Sequence, residues 1–214
     1  MKSWRWVIKD GCAQCIILFM SSPIIPFNLA TCLTWLRIAL IPAVVGVLYI
    51  PEAQLSTVNK NTLSMLFFVI AALTDWFDGY LARKYNQSSA FGAFLDPVAD
   101  KLMVAAALCV LMEIDRVNAA LGFLIIGREL TISALREWMA STGKRASVAV
   151  NSLGKLKTTA QMVAIPMLLF DATFPVIGGF HTRPVGTFLL VIAAVLTVVS
   201  MLYYFQLAAK ALKE

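Results

Sequence analysis

The chain has 214 residues, of which 60% are hydrophobic and only 14% charged, with a mean hydropathy of +0.80. That balance lies outside the range of soluble domains and describes a single polytopic membrane domain. The net charge of +6 is scattered between apolar runs rather than gathered in a stripe with aromatics, which argues against nucleic-acid binding. Cys12, Cys15, Cys32 and Cys109 form no disulfide framework, and the lone C-x-x-C at 12 to 15 has no partner pair, so all four read as ordinary apolar side chains.

Residues 1–26 place Lys2, Trp4, Arg5, Trp6 and Lys9 ahead of a short apolar run at 15–20. Basic and aromatic residues suit a headgroup layer, and no small-residue cleavage pattern follows, so an interfacial helix or an extended segment is expected. Residues 27–214 form the membrane domain, an all-α fold with six expected transmembrane helices. The first covers 33–50, with Arg37 one turn inside and Pro42 in its middle, both tolerable if they face the protein interior. Arg37 alone reads equally as a snorkelling side chain or as a functional one. A second span, 62–82, carries Asp75 and Asp78 near its far end. The third, 91–112, carries Asp96 and Asp100 near its start, and the short link between them holds Arg83 and Lys84. Span four, 118–139, contains Arg128, Glu129, Arg136 and Glu137, and a basic connection with Lys144, Arg145, Lys155 and Lys157 leads to span five at 157–170. Span six, 186–207, has no charged residue and ends in Tyr203, Tyr204 and Phe205, followed by Lys210 and Lys213, an aromatic and basic anchor.

With this arrangement Lys2, Arg5, Lys9, Arg83, Lys84, Lys144, Arg145, Lys155, Lys210 and Lys213 gather on one side, against only Lys60, Arg116 and Arg183 on the other. Positive charge favours the cytoplasmic side, which puts both termini and all four aspartates there, as in a bacterial-type inner membrane protein.

Those aspartates are the centre of the chain. An ionised carboxylate at mid-depth costs roughly 2.5 to 3.5 kcal/mol on insertion scales, so four of them demand compensation that Arg83, Lys84 and Lys101 are too few to supply. If 75–83 is helical, positions 75, 78, 79, 82 and 83 share one face. Gly79 and Ala82 then leave room for a ligand to approach the backbone, and Arg83 ends the stripe with a planar guanidinium suited to phosphate. Gly92, Asp96 and Asp100 repeat the spacing at four residues. Two divalent cations would balance the four acids, and oxygen-only ligation favours Mg²⁺ or Mn²⁺, a pairing used as a clamp for phosphoryl displacement. The structural alternative is a turn at Asp78-Gly79 and a helix cap at Asp96-Pro97.

Arg128 inside an apolar span is a functional candidate by default, or else the partner of a carboxylate on another helix. With Arg136 and Lys155 it converges on the cytoplasmic half and points to an acceptor that itself carries phosphate. Lys144, Arg145 and Lys157 read as membrane-surface charges. The only histidine, His181, falls on the opposite side from the acids, which rules out a Ser/His/Asp triad.

The order D-x2-D-G-x2-A-R-x8-G-x3-D-x3-D, with every defined position filled from Asp75 to Asp100, resembles the signature of the CDP-alcohol phosphotransferase family. The polar entry Asn28 to Arg37 is similar to the segment that precedes it in that family. The resemblance implies a membrane enzyme that joins a CDP-activated donor to an alcohol and releases CMP. It implies that Asp75, Asp78, Asp96 and Asp100 hold two metals, that Gly79, Ala82 and Arg83 receive the CDP part, and that Asp100 takes the proton of the attacking hydroxyl. The runs Gly127 to Met139 and Ser152 to Ala160 resemble the phosphatidylglycerophosphate-forming branch, a likeness that covers about residues 26–210. This implies CDP-diacylglycerol and sn-glycerol 3-phosphate as substrates, Arg128, Arg136 and Lys155 at the acceptor phosphate, and a homodimer by analogy. Inositol phosphate or phosphatidylglycerol are the rival acceptors. A divalent metal transporter is the reading from another class, though a carrier has no evident use for Gly79, Ala82 and Arg83.

Overall fold

The computed structural model describes residues 29–85, 90–142, 152–174 and 180–213. The expectation of an interfacial or extended segment at 1–26 falls outside them. Six α-helices account for nearly all of the described chain, in the order α1 Leu29–Gly46, α2 Thr57–Tyr85, α3 Ala90–Glu113, α4 Ala119–Ser141, α5 Ser152–Phe170 and α6 Thr182–Lys213. A 3-10 turn, Val47–Tyr49, extends α1, and two-residue strands β1 Thr173–Phe174 and β2 Phe180–His181 pair antiparallel, with Thr173 opposite His181.

Local chemistry sets several of the ends. Ile50 precedes Pro51 and is driven out of the helical region to φ −61 and ψ 132, which stops α1 and its 3-10 extension. Asn118 caps α4 by accepting the Ala120 amide at 2.9 Å. Asp115 and Asp171, at φ 54 and 40, take the left-handed conformation that aspartate tolerates, turning the chain sharply after α3 and after α5.

By length and composition the stretches Cys32–Tyr49, Thr57–Asp75 and Thr182–Ala209 are long and apolar enough to cross a membrane, and Leu156–Phe170 is a shorter apolar helix. Helices α3 and α4 have 24 and 23 residues but carry Asp96, Asp100 and Lys101, and Arg128, Glu129 and Arg136, within their length. Polarity is arranged inside out. Phe123, Leu130, Phe188, Val195 and Leu202 are exposed on the outer faces, whereas Arg37, Ser64, Arg128, Lys157, Gln161, Thr197 and Ser200 are buried. An outward apolar surface suits hydrocarbon, and polar groups inside it must find partners in the protein.

The main core unites residues of all six helices, including Val44, Phe68, Leu108, Ile125, Ile165, Leu168 and Leu190. A second cluster of Ile132, Met139, Tyr204 and Ala208 joins the ends of α4 and α6. The most extensive pairing is α5 against α6. Gly186 makes it possible, since a Cβ there would stand 2.8 Å from Leu168 Cγ and 3.2 Å from the Ala164 carbonyl oxygen.

One end of the bundle is tied by Arg116, in the α3–α4 connection. Its Nη1 donates to the carbonyls of Leu168 at 3.1 Å and Leu169 at 2.8 Å, its Nη2 to Asn61 at 2.9 Å, and its Nε pairs with Asp171 at 3.1 Å. The last carbonyls of α5, which have no intrahelical partner, are thereby satisfied. Arg183 donates to the Asp115 carbonyl nearby, and His181 lies 3.9 Å from Asp171. Arg116, Arg183 and His181 are thus together, at the end opposite the one where α2 finishes and α3 begins.

Candidate active site

Thr34 and Arg37 stand one turn apart on α1 and reach both halves of the aspartate pattern. Thr34 Oγ1 donates to Asp96 Oδ1 at 2.5 Å, on α3, and Arg37 Nη2 lies 3.0 Å from Asp75 Oδ1, on α2. Residues three apart share a helix face, so one stripe of α1 fixes one carboxylate on each of two other helices. Arg37 is 1% exposed, which removes the snorkelling alternative, while Asp75 remains 45% exposed. None of the three Arg37 guanidinium nitrogens has a hydrogen-bond acceptor among the described residues, so its contact with Asp75 is an ion pair alone.

Asp100, one turn beyond Asp96, lines a crevice with Lys101, Glu129, Lys157, Thr158 and Gln161. Among the described residues, Asp75, Arg37, Glu129 and Lys101 lie within electrostatic reach of it. Asp75 and Asp100 are therefore within reach of each other's charge. The backbone at Asp78, Gly79, Ala82 and Arg83 continues α2 without a break as far as Tyr85, and α3 begins at Ala90, so neither a turn at Asp78-Gly79 nor a cap at Asp96-Pro97 is realised. The side chains of Asp78, Arg83 and Lys155, and the surroundings of Gly79 and Ala82, lie outside the described residues. Among the described residues, which do not include the side chain of Asp78, no set of three His, Cys, Asp or Glu side chains converges on a point. The donor chemistry itself, carboxylates alone, is what a hard divalent ion takes.

Of the basic candidates, Arg128 and Arg136 lie at the seam between α4 and α6. Arg128 is 7% exposed and donates to Ser200 Oγ on α6 at 2.6 Å and to Glu129 Oε2 at 3.3 Å. Arg136 is exposed. It donates to the Tyr204 hydroxyl at 3.2 Å and places its guanidinium 5.2 Å from the centre of that ring. Lys157 overturns an expectation: instead of a membrane-surface charge it is 3% exposed, its ammonium in contact with the same Glu129 oxygen that Arg128 approaches. Burial is possible because Glu129 meets it from α4, a pairing over 28 residues that no local pattern announces. Thr34, Glu129 and Lys157 contact candidate residues or one another, and sequence reasoning placed none of them at the candidate site. Only Thr34 had a signal, its spacing of three from Arg37.

A larger, apolar groove of about 460 Å³ lies at the other end, between Arg116, Asn118, Leu121, Leu124, Thr187 and Val191, away from the acids.

A helical bundle with outward apolar faces, and with acids of two helices held by a third, matches one family in sequence as well. The profile of the CDP-alcohol phosphatidyltransferases covers residues 27–204, and the chain belongs to that family of enzymes. It is 50% identical over 187 residues, 85% of this chain and 95% of the relative, to a Salmonella choleraesuis protein named CDP-diacylglycerol–glycerol-3-phosphate 3-phosphatidyltransferase. Proteins of the same name from Shigella flexneri and Escherichia coli K12 are 49% and 48% identical over the same shares.

Proposed function

We propose that this chain transfers the phosphatidyl group of CDP-diacylglycerol to sn-glycerol 3-phosphate, giving phosphatidylglycerophosphate and CMP. The observation that carries the reading is the similarity to enzymes named for that reaction over 85% of the chain. The ties of α1 to two of the four signature acids, Thr34 to Asp96 and Arg37 to Asp75, support it. All six helices cross the bacterial inner membrane in this reading, with both termini and the acids on the cytoplasmic side, and the enzyme works as a homodimer.

Asp75, Asp78, Asp96 and Asp100 would hold two divalent ions, Mg²⁺ or Mn²⁺, which supply charge withdrawal from the β-phosphate. Gly79 and Ala82 leave space along α2 for the CDP part, and Arg83 provides a guanidinium for its phosphate. Arg128, Arg136 and Lys155 form the acceptor end, where the phosphate of glycerol 3-phosphate needs cationic donors. Asp100 accepts the proton of the acceptor hydroxyl as its oxygen bonds to the β-phosphorus and the bond to the bridging oxygen breaks. CMP carries away that oxygen and its electron pair. Direct displacement needs no nucleophilic side chain, and His181, 47% exposed beside Asp171, is at the wrong end to provide one.

The test is product identification by mass spectrometry after incubation of the purified protein with CDP-diacylglycerol, Mg²⁺ and one acceptor at a time. Phosphatidylglycerophosphate formed from glycerol 3-phosphate, with no product from glycerol, inositol phosphate or phosphatidylglycerol, is the expected result. A product from one of those three instead would replace the acceptor assignment.

A further inference from the structure

Arg37 is a buried cation whose surroundings leave it unfinished. A guanidinium carries five N–H donors, yet among the described residues Nε, Nη1 and Nη2 all lack a hydrogen-bond acceptor, and the one ionic contact there is Asp75 Oδ1 at 3.0 Å. Buried donors left without acceptors are costly, and a side chain 1% exposed has no solvent to turn to. Its charge also reaches Asp100. Arg37 thus sits among the acids as their counter-charge, with donor capacity unused.

Resting on the reading of these acids as cation ligands, we propose that Arg37 makes cation binding and diphosphate binding interdependent. With no anion present, a divalent ion at Asp75 must approach a guanidinium already in contact with that carboxylate. It then loses part of its ligand's charge to Arg37 and is repelled by it. When a nucleoside diphosphate arrives, its oxygens give the spare N–H groups the acceptors they lack, and the same guanidinium that opposed the cation now holds the anion that the cation binds. Each ligand improves the site for the other by the same factor, as linkage requires. The cost of leaving that arginine unfinished when no diphosphate is bound is the physical origin of the coupling, and Thr34, one turn away on Asp96, has no charge with which to contribute to it.

The experiment measures Mn²⁺ affinity of the full chain in detergent micelles by electron paramagnetic resonance of the free ion, alone, with CMP and with CDP. Each titration is corrected for the nucleotide's own Mn²⁺ binding. In the unaltered protein CDP is expected to tighten Mn²⁺ strongly, and CMP, with a single phosphate, much less. Arg37→Gln should bind Mn²⁺ alone several-fold more tightly than the unaltered protein, and the tightening by CDP should fall about tenfold. Arg37→Lys keeps the charge but not the planar fork, so it should bind Mn²⁺ alone as the unaltered protein does while losing most of the CDP effect. Mn²⁺ affinity in Arg37→Gln equal to or weaker than that of the unaltered protein would overturn the proposal. So would undiminished CDP tightening in Arg37→Lys, which decides the matter if the glutamine variant does not fold. An unaltered protein that binds no Mn²⁺ under any condition would instead remove the cation reading of the acids.

Discussion

Glu129 on α4 and Lys157 on α5 form an ion pair inside the bundle, and Arg128 approaches the same carboxylate oxygen from the preceding position. One acid therefore serves two cations, of which Lys157 is 3% exposed and Arg128 7%. Removing one partner of a buried pair costs about 3 to 5 kcal/mol because the other charge is left uncompensated. Glu129→Ala strands two cations and should lower the thermal unfolding midpoint in detergent by clearly more than Lys157→Ala, which leaves Glu129 its contact with Arg128. Equal losses would mean that Glu129 does not hold both.

The α5–α6 contact gives a second stability test. Alanine at Gly186 meets the branch of Leu168 and the Ala164 carbonyl, neither of which can withdraw far, so overpacking should cost about 1 to 3 kcal/mol. Alanine at Gly122 meets the sulfur end of Met112, a flexible side chain that can swing aside, so its cost should be smaller. Unfolding midpoints of the two variants check the order.

Asp100→Asn removes the proton acceptor but keeps an oxygen that can face a cation. Turnover is expected to fall by about 10² to 10⁴, the usual contribution of a positioned base, while appreciable Mn²⁺ binding remains. Normal turnover in that variant would take Asp100 out of its role.

Arg136→Ala and Lys155→Ala address the acceptor end. Loss of a hydrogen bond to a charged group, about 1.5 to 3 kcal/mol, corresponds to a rise of about 10- to 150-fold in the KM for glycerol 3-phosphate, with the KM for CDP-diacylglycerol little changed. Initial rates with each substrate varied in turn decide it, and the reverse pattern would move these residues to the donor site. Tyr204→Phe keeps the ring under Arg136 and removes only the hydroxyl 3.2 Å away. A milder effect of the same kind would show that the hydroxyl helps to align the guanidinium, and no effect would leave that alignment to the ring.

The helices were legible because apolar runs of membrane length have few alternatives. The expected spans 91–112 and 118–139 fall within a residue or two of Ala90–Glu113 and Ala119–Ser141, whereas 62–82 and 186–207 understate α2 and α6, which continue past their apolar stretches at both ends. By length and composition alone three stretches of the described residues qualify as membrane spans, fewer than the six expected, because α3 and α4 are diluted by charge and the apolar stretch of α5, Leu156–Phe170, is short. Spacing also picked out the acids, since residues three and four apart declare a common face. What spacing cannot declare is which other helix that face meets. Thr34 finds Asp96 across 62 residues, and Arg37 finds Asp75. Lys157 looked like a surface charge for the same reason: its position near the start of a span gave no hint that Glu129 would face it from within.

Release of CMP from CDP-diacylglycerol by the purified full chain in mixed micelles, followed with Mg²⁺ and then with excess chelator, tests most directly whether the acids work through divalent cations on a diphosphate. CMP formation that requires both Mg²⁺ and glycerol 3-phosphate, and that stops on chelation, is the result expected. Release at an undiminished rate in chelator, or none at all with cation and both substrates supplied, would contradict it.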